Sequence, residues 1–392
     1  MSINLVVFMG GASVEHEVSV ISAVQAISYF NKDKYNILPV YISKDSEFYY
    51  SDSFKDISVF KNIKEALKKA DKIDFTRENG KVFAYKSKRN LLKNKPLFEM
   101  DFAFPVVHGT NCEDGTLQGY LELLGVPYAE CDITSSAIGM DKFIFKCVVA
   151  ESGIPVLPSV CFTAREWFEH SDRIIEKITD LDFPVIVKPA NLGSSVGIKK
   201  VNQVEELKDA IEYASSFASK ILVEHAVENL REFNCSVLGD VDKAEASAVD
   251  EPFMQDEILS YNDKYMASDS SKGMSSLKRK LPADISDQKT KEIQELSIAT
   301  FKALGCCGVV RVDFLMDCDN NEKLYVNEIN TIPGSLSFYL WQASGLKYSD
   351  MLDRLVELGF KRFRNKQNLN FNYDTEILSS CGGFGAKGFK KG

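Results

Sequence analysis

Two short polar motifs near the C-terminal end of the chain contain residue types that bind divalent cations. Arg311 and Asp313 are two residues apart in one apolar stretch, and Glu328 and Asn330 are two residues apart in the next. Because side chains two residues apart in a strand point to the same face, each pair shares a face. If the strands pair antiparallel with 318–321 as the turn, all four groups meet on one patch. Carboxylate and carboxamide oxygens suit Mg²⁺, and Arg311 would lie where charge develops on a transferring phosphoryl group. The alternative is a charged strand face exposed to solvent.

A lysine followed by a Gly/Ser-rich loop forms a second candidate site. Lys188 closes an apolar strand, and the loop 189–197, which contains Ser194 and Ser195, follows it. Such a loop can lie against phosphates, because glycine permits close backbone approach and leaves N–H groups exposed. It is not a Walker A loop, which would end in GK[ST]. A surface turn is the alternative.

Two turn motifs in the first part of the chain follow predicted strands. Gly10 and Gly11 lead to Glu15 in the first turn of a predicted helix, and the stretch 108–116 begins with His108. Turns at the carboxyl ends of strands are where ligands bind in α/β sheets. The alternatives are a carboxylate that stabilises the helix dipole by about 0.3–1 kcal/mol, and ordinary turn and cap residues.

A long segment without helix or strand periodicity lies at about 256–280. It contains Tyr261, Lys264, Tyr265 and several serines. A loop of this length inside a compact domain is usually functional, and a mobile lid over bound substrate is the expectation.

Strand and helix patterns predict an α/β protein with three successive regions. Short apolar strands and amphipathic helices recur over 1–130, 131–226 and 227–365, and each region is long enough to be a separate domain. Residues 44–95 are polar and rich in Lys and Asp, so we expect a surface elaboration with one helix and no chemistry. The last residues, 366–392, lose periodicity and are predicted to be a disordered tail.

The composition of the chain argues against several classes of partner. Its 392 residues are 45% hydrophobic and 26% charged, which is typical of a globular protein in water. A net charge of −9 argues against nucleic acid or an anionic membrane, because both favour an excess of Lys and Arg. No apolar segment reaches the ~18 residues of a membrane span, so a cytoplasmic location is expected. The nine cysteines lack metal-binding spacing, which favours free thiols in a reducing compartment.

In this order along the chain, the motifs resemble those of the D-alanine–D-alanine ligases, which are ATP-grasp enzymes. The resemblance covers about residues 3–362 and rests on these stretches: GGASVEHEVS, HGTNCEDGTLQG, MDK, FPVIVKPANLGSSVGI, YNDKY, RVDF and VNEINTIPG. It implies an N-terminal parallel-sheet domain followed by central and C-terminal ATP-grasp domains. It also implies a homodimeric enzyme that uses ATP and two Mg²⁺ ions, or Mn²⁺, to join two D-alanines for peptidoglycan synthesis.

The resemblance implies nucleotide and metal roles for particular residues. The ATP-binding residues would be Lys142, Lys188, Ser195, Glu224, Ala226, Val227, Glu232 and Lys264. Within this set, Lys142 and Lys188 would bind phosphates, and Lys264 would reach the γ-phosphate from the mobile loop. Glu224 would contact the adenine and Glu232 the ribose hydroxyls, with backbone groups nearby. The metal ligands would be Asp313, Glu328 and Asn330.

The resemblance also implies which residues contact the amino acids. Glu15 would bind the ammonium of the first amino acid, in a network with Ser194 and Tyr265. Arg311 and the N–H of Gly334 would stabilise the oxyanion. The remaining candidate substrate contacts are His108 and Tyr339. In this scheme the first carboxylate is converted to an acyl phosphate, which the amine of the second amino acid then attacks.

The sequence departs from the family pattern at the acceptor end of the site. The family usually has a serine five residues after Gly334, where it binds the carboxylate of the second substrate, but this chain has Tyr339. Cys112 replaces the usual glycine before Glu113. Tyr265 is typical of peptide-forming members, whereas ligases that make the D-lactate ester tend to have histidine in that loop.

Several functions therefore stay open. The same chemistry with D-Ser, another amino acid or D-lactate as acceptor is the first alternative. An ATP-binding module without ligase activity is the second, although its expected loss of a metal ligand or phosphate lysine is not seen. A different ATP-grasp enzyme, such as a carboxylase, is disfavoured by the Glu15 and His108 motifs, which belong to the amino-acid end of these ligases.

Overall fold

The structure is a computed structural model, and it describes residues 2–87, 95–193, 196–252 and 279–370. Four predicted site residues lie outside these ranges: Ser194, Ser195, Lys264 and Tyr265. Nearly all of the predicted mobile loop and most of the predicted tail also lie outside the described residues, so these expectations stay predictions.

The first part of the chain forms a seven-stranded sheet in the order β6-β5-β4-β3-β2-β1-β7. Its strands are β1 Ile3–Gly10, β2 Tyr35–Ile42, β3 Phe48–Tyr50, β4 Asp71–Glu78, β5 Lys81–Lys86, β6 Phe98–Met100 and β7 Phe102–Pro105. The helices of this region are α1 His16–Tyr29, α2 Ile63–Lys69 and α3 Thr116–Leu124. Strand β1, next to the edge strand β7, is parallel to both neighbours, and its run from Leu5 to Met9 is fully buried, as expected for a strand covered on both faces.

The segment 44–95 is more than the predicted surface elaboration. Its helix is present as α2, but the segment also supplies β3, β4 and β5, which extend the sheet. Along β4, Ile73 and Phe75 are buried, and Lys72 and Asp74, which alternate with them, are exposed. This period-two pattern predicts a half-buried strand, and the high content of charged residues concealed it.

The middle of the chain forms a four-stranded sheet in the order β10-β9-β11-β8, in which all pairs are antiparallel. Its strands are β8 Ser159–Thr163, β9 Val185–Pro189, β10 Lys199–Val201 and β11 Lys220–His225. The helices are α4 Ile133–Met140, α5 Lys142–Glu151, α6 Ala164–Thr179 and α7 Leu207–Ser215. A capping box of Thr163 and Glu166 begins α6. Apolar residues of α6 and α7 share one core with β9 and β11.

The third sheet is antiparallel and has the order β14-β13-β12-β15-β16. Its strands are β12 Leu230–Gly239, β13 Ala244–Pro252, β14 Arg279–Lys280, β15 Gly308–Asp317 and β16 Lys323–Asn330. The remaining helices are α8 Asp287–Ala303, α9 Phe338–Ala343 and α10 Tyr348–Gln367. Residues of α5 and α8 pack on one face of this sheet, which leaves its other face for polar side chains.

The last helix packs against the first sheet and also contacts the third, where its Arg354 pairs with Glu245 of β13. Met351 and Leu355 of α10 are fully buried in the same apolar cluster as Leu5 and Phe102. The two ends of the described chain therefore form one body. The three sheets follow the order of the three predicted regions, and the domain limits stay a prediction.

Candidate active site

The two polar motifs of the third sheet face each other as the strand pattern predicts. Strands β15 and β16 are antiparallel, with Arg311 opposite Asn330 and Asp313 opposite Glu328. All four residues are half-buried, whereas Val312 between them is fully buried in the core. The predicted polar patch is therefore formed.

A β-bulge at Asn327 makes this arrangement possible. The register shifts between Asp313 and Phe314, so that Asp313 pairs with Glu328 while Phe314 pairs with Val326. Strict alternation would place Val326 and Glu328 on the same face, but the extra residue lets one enter the core and the other face the patch. The side-chain oxygen of Asn327 also lies 3.5 Å from Lys188 Nζ. Nothing in the spacing of the sequence indicated this bulge.

Hydrogen bonds fix the side chains of the patch. Arg311 donates from Nε and Nη2 to the two oxygens of Asp313 over 2.6 and 2.7 Å, and Asn330 Nδ2 donates to the same carboxylate over 3.1 Å. Although burial opposes it, Asp313 holds the pKa of Arg311 above its usual range. This guanidinium therefore stays charged beside the patch.

The donor set of the patch fits a hard divalent cation. Asp313, Glu328 and Asn330 offer two carboxylates and one carboxamide on one strand pair. No group of three His, Cys, Asp or Glu residues able to hold a metal occurs in the part of the chain that the structure describes. Mg²⁺ held here would therefore complete its coordination with phosphate oxygens and water, which is its usual mode in nucleotide sites.

A buried cluster of charges lies on the second sheet, next to this patch. Lys188 of β9 and Lys146 of α5 both form ion pairs with Glu224 of β11, the latter over 2.9 Å. Although burial alone would raise it, Lys146 and Lys188 lower the pKa of Glu224 to about 2. Burial lowers the pKa of Lys188, and Glu224 opposes this effect. The predicted adenine contact, Glu224, thus has its carboxylate committed to two lysines.

Lys146 is a charged residue that sequence reasoning missed. It lies one helical turn after Lys142 on α5, so the two lysines share a face of the helix. A second lysine at this spacing, among apolar residues of a buried helix, was the available signal. Its partner Glu224 lies on a strand 78 positions later in sequence (224 − 146), which no local pattern relates to it.

Lys142 connects the buried cluster to the metal patch. Asp141 caps α5 by accepting from the N–H groups of Phe143 and Ile144, and this fixes the start of the helix at Lys142. Lys142 Nζ then lies 3.0 Å from Glu328 and donates to the carbonyl of Leu192 over 3.1 Å. Although burial opposes it, Glu328 raises the pKa of Lys142, so this lysine is charged. The predicted phosphate lysines and the predicted metal ligands therefore meet.

A small apolar cluster lies between the second and third sheets. Its buried members are Leu157, Val227 and Tyr325, and Leu230 and Leu315 pack against them. Glu232 pairs with Leu315 across β12 and β15, beside this cluster, and the N–H of Ala226 donates to the carbonyl of Pro184. A flat apolar base would find van der Waals contacts here. The adenine and ribose roles of these residues stay predictions.

The N-terminal motif and two loops converge on Glu15. Gly10 and Gly11 both have positive φ, and a Cβ on Gly10 would lie 2.4 Å from the carbonyl oxygen of Ile42, so the turn requires glycine. Glu15 is the residue that precedes α1. A Cβ on Gly109 would lie 3.1 Å from one Glu15 oxygen, and a Cβ on Gly193 would lie 3.5 Å from the other. Glu15, whose carboxylate is predicted to bind the first amino acid, is thus close to the loop that follows Lys188.

His108 is held by protein groups at both ring nitrogens. Its Nδ1 donates to the carbonyl of Ile332 over 2.8 Å, so Nε2 of the neutral ring accepts from Ser22 Oγ over 2.9 Å, and Ser22 Oγ in turn accepts from the N–H of Ser335. Burial lowers the pKa of this histidine, so it is neutral. Both ring nitrogens are bonded to the protein, so His108 holds the loop that carries Gly334, and its contact with substrate stays a prediction.

Glu113 fixes the same loop from the other side. Its two oxygens accept from the N–H of Gly109 over 2.7 Å and from the N–H of Ile332 over 3.1 Å. Burial and the nearby Glu15 carboxylate raise the pKa of Glu113 to about 8. The sequence predicts a turn or cap role for Glu113. In the structure Glu113 also accepts a hydrogen bond from Ile332, which lies 219 residues later in the chain.

Gly334 and Tyr339 lie at the end of this loop. Gly334 begins a short 3₁₀ turn to Ser337, in which the three residues after the glycine have φ near +50°. Left-handed backbone costs non-glycine residues about 1–3 kcal/mol each and clusters at functional sites. Tyr339 follows in α9 and is 7% exposed.

Three sheets, with lysines of the second placed against an acidic strand pair of the third, define an ATP-grasp ligase. The sequence profile described as D-ala D-ala ligase N-terminus matches residues 4–131, and the profile described as D-ala D-ala ligase C-terminus matches residues 148–357. The chain belongs to the D-alanine–D-alanine ligase family. The fold class and the family predicted from the motifs are thereby confirmed.

Similar proteins match over nearly the whole chain. A D-alanine–D-alanine ligase from Thermosipho melanesiensis is 39% identical over 379 residues, which cover 96% of this chain and 98% of that protein. The structure of the D-alanine–D-alanine ligase from Coxiella burnetii has a TM-score of 0.77 at 31% identity, and covers 93% of this chain and 96% of its own. The VanG D-Ala:D-Ser ligase from Enterococcus faecalis has a TM-score of 0.77 at 32% identity, and covers 92% and 100%.

Two further expectations concern the rest of the chain. In the described ranges, no helix is long and apolar enough to cross a membrane. The cysteines that the structure describes are free thiols, as the sequence predicts.

Proposed function

We propose that this enzyme joins two D-alanines, with ATP as the phosphoryl donor, and releases D-alanyl-D-alanine, ADP and phosphate for peptidoglycan synthesis. The observation that carries the proposal is the 3.0 Å contact between Lys142 and Glu328, which brings phosphate-binding lysines against an acidic strand pair. The similarity to proteins named D-alanine–D-alanine ligase supports the substrate.

The first step forms an acyl phosphate. A carboxylate oxygen of the first D-alanine bonds to the γ-phosphorus, and the bond to the bridging oxygen breaks to leave ADP. Lys142 and Lys188 hold the phosphates, and Asp313, Glu328 and Asn330 would hold Mg²⁺, which neutralises charge on the transferring group. Glu15 binds the ammonium of this amino acid and so fixes which carboxylate reacts.

The second step forms the amide. The neutral amine of the second D-alanine attacks the acyl carbon, and phosphate leaves as the tetrahedral oxyanion collapses. Arg311 and the N–H of Gly334 donate to that oxyanion, where fixed donors contribute most. His108 and Glu113 position the Gly334 loop, because they bond the carbonyl and the N–H of Ile332.

One specific observation supports an alternative acceptor, D-serine in place of the second D-alanine. Tyr339 stands where the family usually has a serine for the acceptor carboxylate, and a D-Ala:D-Ser ligase is among the similar structures. The same two steps with D-serine as acceptor would give D-alanyl-D-serine.

The test is phosphate release by the purified protein with ATP, Mg²⁺ and D-alanine, with the peptide identified by mass spectrometry. We expect turnover with D-alanine alone and loss of turnover when EDTA replaces Mg²⁺. Turnover only with D-alanine plus D-serine would change the acceptor. No turnover with any amino-acid pair, together with ATP binding, would instead indicate a nucleotide-binding module. Light scattering of the same preparation would test the homodimer that the family resemblance implies.

A further inference from the structure

A second polar group lies on the same face of the third sheet as the metal patch, two strands away. Asp250 of β13 is opposite Asn234 of β12, which is opposite Asp313 of β15. Neighbouring strands are about 4.8 Å apart, so Asp250 lies about 10 Å from Asp313 along the sheet. The face that carries the predicted metal ligands therefore continues towards β13 and β14.

Asp250 forms a buried ion pair with Arg279. The Nη1 atom of Arg279 lies 2.7 Å from Asp250 Oδ2, and the two side chains are 8% and 0% exposed. Arg279 of β14 is opposite Pro252 of β13. Because Pro252 is two residues after Asp250, Arg279 and Asp250 lie on the same face of the sheet. A buried ion pair is seldom more stabilising than apolar residues of similar size, because desolvation offsets the attraction. This pair is therefore better explained by binding than by stability.

Tyr339 completes the group. The Arg279 guanidinium lies 4.0 Å from the centre of the Tyr339 ring. The Tyr339 hydroxyl is buried and has no hydrogen-bond partner of standard geometry among the described residues. Burial raises the pKa of this hydroxyl, and Arg279 and Arg311 lie near enough to oppose that rise. A buried hydroxyl without a well-formed hydrogen bond costs about 1–3 kcal/mol, and a ligand oxygen that accepts from both this hydroxyl and the adjacent Arg279 would remove that cost.

Arg279 and Tyr339 match the chemistry of a carboxylate. Guanidinium and hydroxyl groups both donate to carboxylate oxygens, and charge-assisted bonds of this kind are the strong ones. Arg311 is less suited to this task, because two of its nitrogens already bond Asp313. We propose that Arg279 and Tyr339 together bind the carboxylate of the acceptor amino acid, and that Asp250 positions Arg279. This inference rests on the proposed ligase function, and it replaces the family's serine with an arginine–tyrosine pair.

The experiment is a competition between two acceptors in one mixture. Wild-type enzyme with ATP, Mg²⁺ and D-alanine receives D-alaninamide, an acceptor that lacks the carboxylate. The ratio of D-alanyl-D-alanine to D-alanyl-D-alaninamide, measured by mass spectrometry, reports the ratio of kcat/KM for the two acceptors. Because both products come from the same enzyme molecules, this ratio does not depend on the fraction of a variant that folds.

We expect Arg279→Gln to lower this ratio roughly 10- to 100-fold, the usual effect of losing a hydrogen bond between charged groups. Tyr339→Phe, which keeps the ring, should lower it several-fold, and Asp250→Asn should lower it less than Arg279→Gln. Arg279→Lys, which keeps the charge, should restore part of the preference. The matched control is Arg354→Gln, because Arg354 of α10 pairs with Glu245 on the same strand as Asp250. It should leave the ratio unchanged.

An unchanged ratio in both Arg279→Gln and Tyr339→Phe would overturn this inference while leaving the ligase function intact. Absence of any ligated product from the wild type would refute the proposed function first, and this inference with it. If the wild type prefers another acceptor amino acid, the same ratio is measured with that acid and its amide, with the same expectations.

Discussion

The buried charges on the second sheet and the half-buried charges on the third sheet solve different problems. Lys146 and Glu224 have side chains that are only 3% exposed, whereas Glu328 is 24% exposed. A fully buried charge must be neutralised within the protein, whatever else binds there. A half-buried charge can be neutralised by water, metal or substrate. Charges of the first kind therefore support both the fold and the site, and charges of the second kind mainly support the chemistry.

The two regions touch at Lys142 and Glu328. This contact joins α5, whose Lys146 pairs with Glu224 of the second sheet, to a strand of the third sheet. In the proposed function, Lys142 would gain a phosphate partner and Glu328 would gain a cation when nucleotide and metal bind. The comparison then predicts that substitutions in the half-buried region mainly reduce activity, whereas substitutions in the buried region mainly reduce stability.

The largest expected effect is that of Glu328→Gln on turnover. Loss of a metal ligand removes several kcal/mol of transition-state stabilisation, so phosphate release should fall by about a thousandfold or more. The unfolding free energy should fall by less than in Glu224→Gln, because Glu328 is half-buried and Lys142 keeps its hydrogen bond to the carbonyl of Leu192. Glu322→Gln, on the exposed turn between the same strands, is the control. Near-normal turnover, or unfolding of the variant, would remove the distinction between the two regions.

Glu224→Gln should act mainly on stability. It leaves Lys146 and Lys188 buried without their carboxylate, and breaking a buried pair commonly costs about 3–5 kcal/mol. Chemical denaturation should show this loss. Glu169→Gln, which breaks an exposed pair with Arg165, should cost at most about 1 kcal/mol. Equal losses in the two variants would show that burial does not separate these charges.

Removal of the metal should lower the stability that ligand binding adds, because the half-buried carboxylates are the predicted metal ligands. ATP with Mg²⁺ at a hundred times its Kd should raise the unfolding free energy by about 2.7 kcal/mol. EDTA should reduce this gain, and Glu328→Gln should lose the part that depends on Mg²⁺. Differential scanning fluorimetry with and without EDTA measures it. A full Mg²⁺-dependent gain in the variant would contradict the assignment of Glu328 as a ligand.

Glu113 is a third case, because its partners are backbone N–H groups and not lysines. Its pKa is raised to about 8, whereas an ordinary glutamate titrates near 4.5. Between these values the folded state binds more protons than the unfolded state, so stability falls as the pH rises, and it levels off above pH 8. Relative to Glu113→Gln, the wild type should lose up to about 1 kcal/mol per pH unit in this window. Denaturation at pH 5, 6.5 and 8 tests this, and parallel pH profiles would refute it.

The half-buried region was predictable from the sequence, and the buried region was predictable only in part. Arg311, Asp313, Glu328 and Asn330 follow the period of a strand, so their shared face could be inferred without coordinates. The bulge at Asn327 obeys no such period. It was found only from the register of the sheet.

Long-range pairing explains the other omissions. Glu224 and Lys146 come from a strand and a helix far apart in sequence, and no local pattern joins them. Asp250 and Arg279 were likewise missed, because they flank a stretch whose sequence shows no periodicity. The strands of the segment 44–95 were missed for a different reason, since frequent charged residues concealed their alternation. Their effect is on the size of the first sheet and not on the site.

The burial of α10 against the first sheet has a consequence for how the enzyme is assembled. A Cβ on Gly359 would lie 2.6 Å from the ring of Phe102, so the last helix fits closely against β7. Synthesis must therefore reach this last helix before strands β1 and β7 gain their full apolar cover. Hydrogen bonds to Glu113 and Ser22 also join the N-terminal region to the Gly334 loop, although these segments are far apart along the chain. Truncation within this helix should for that reason expose the opening strands and favour aggregation of the shortened chain.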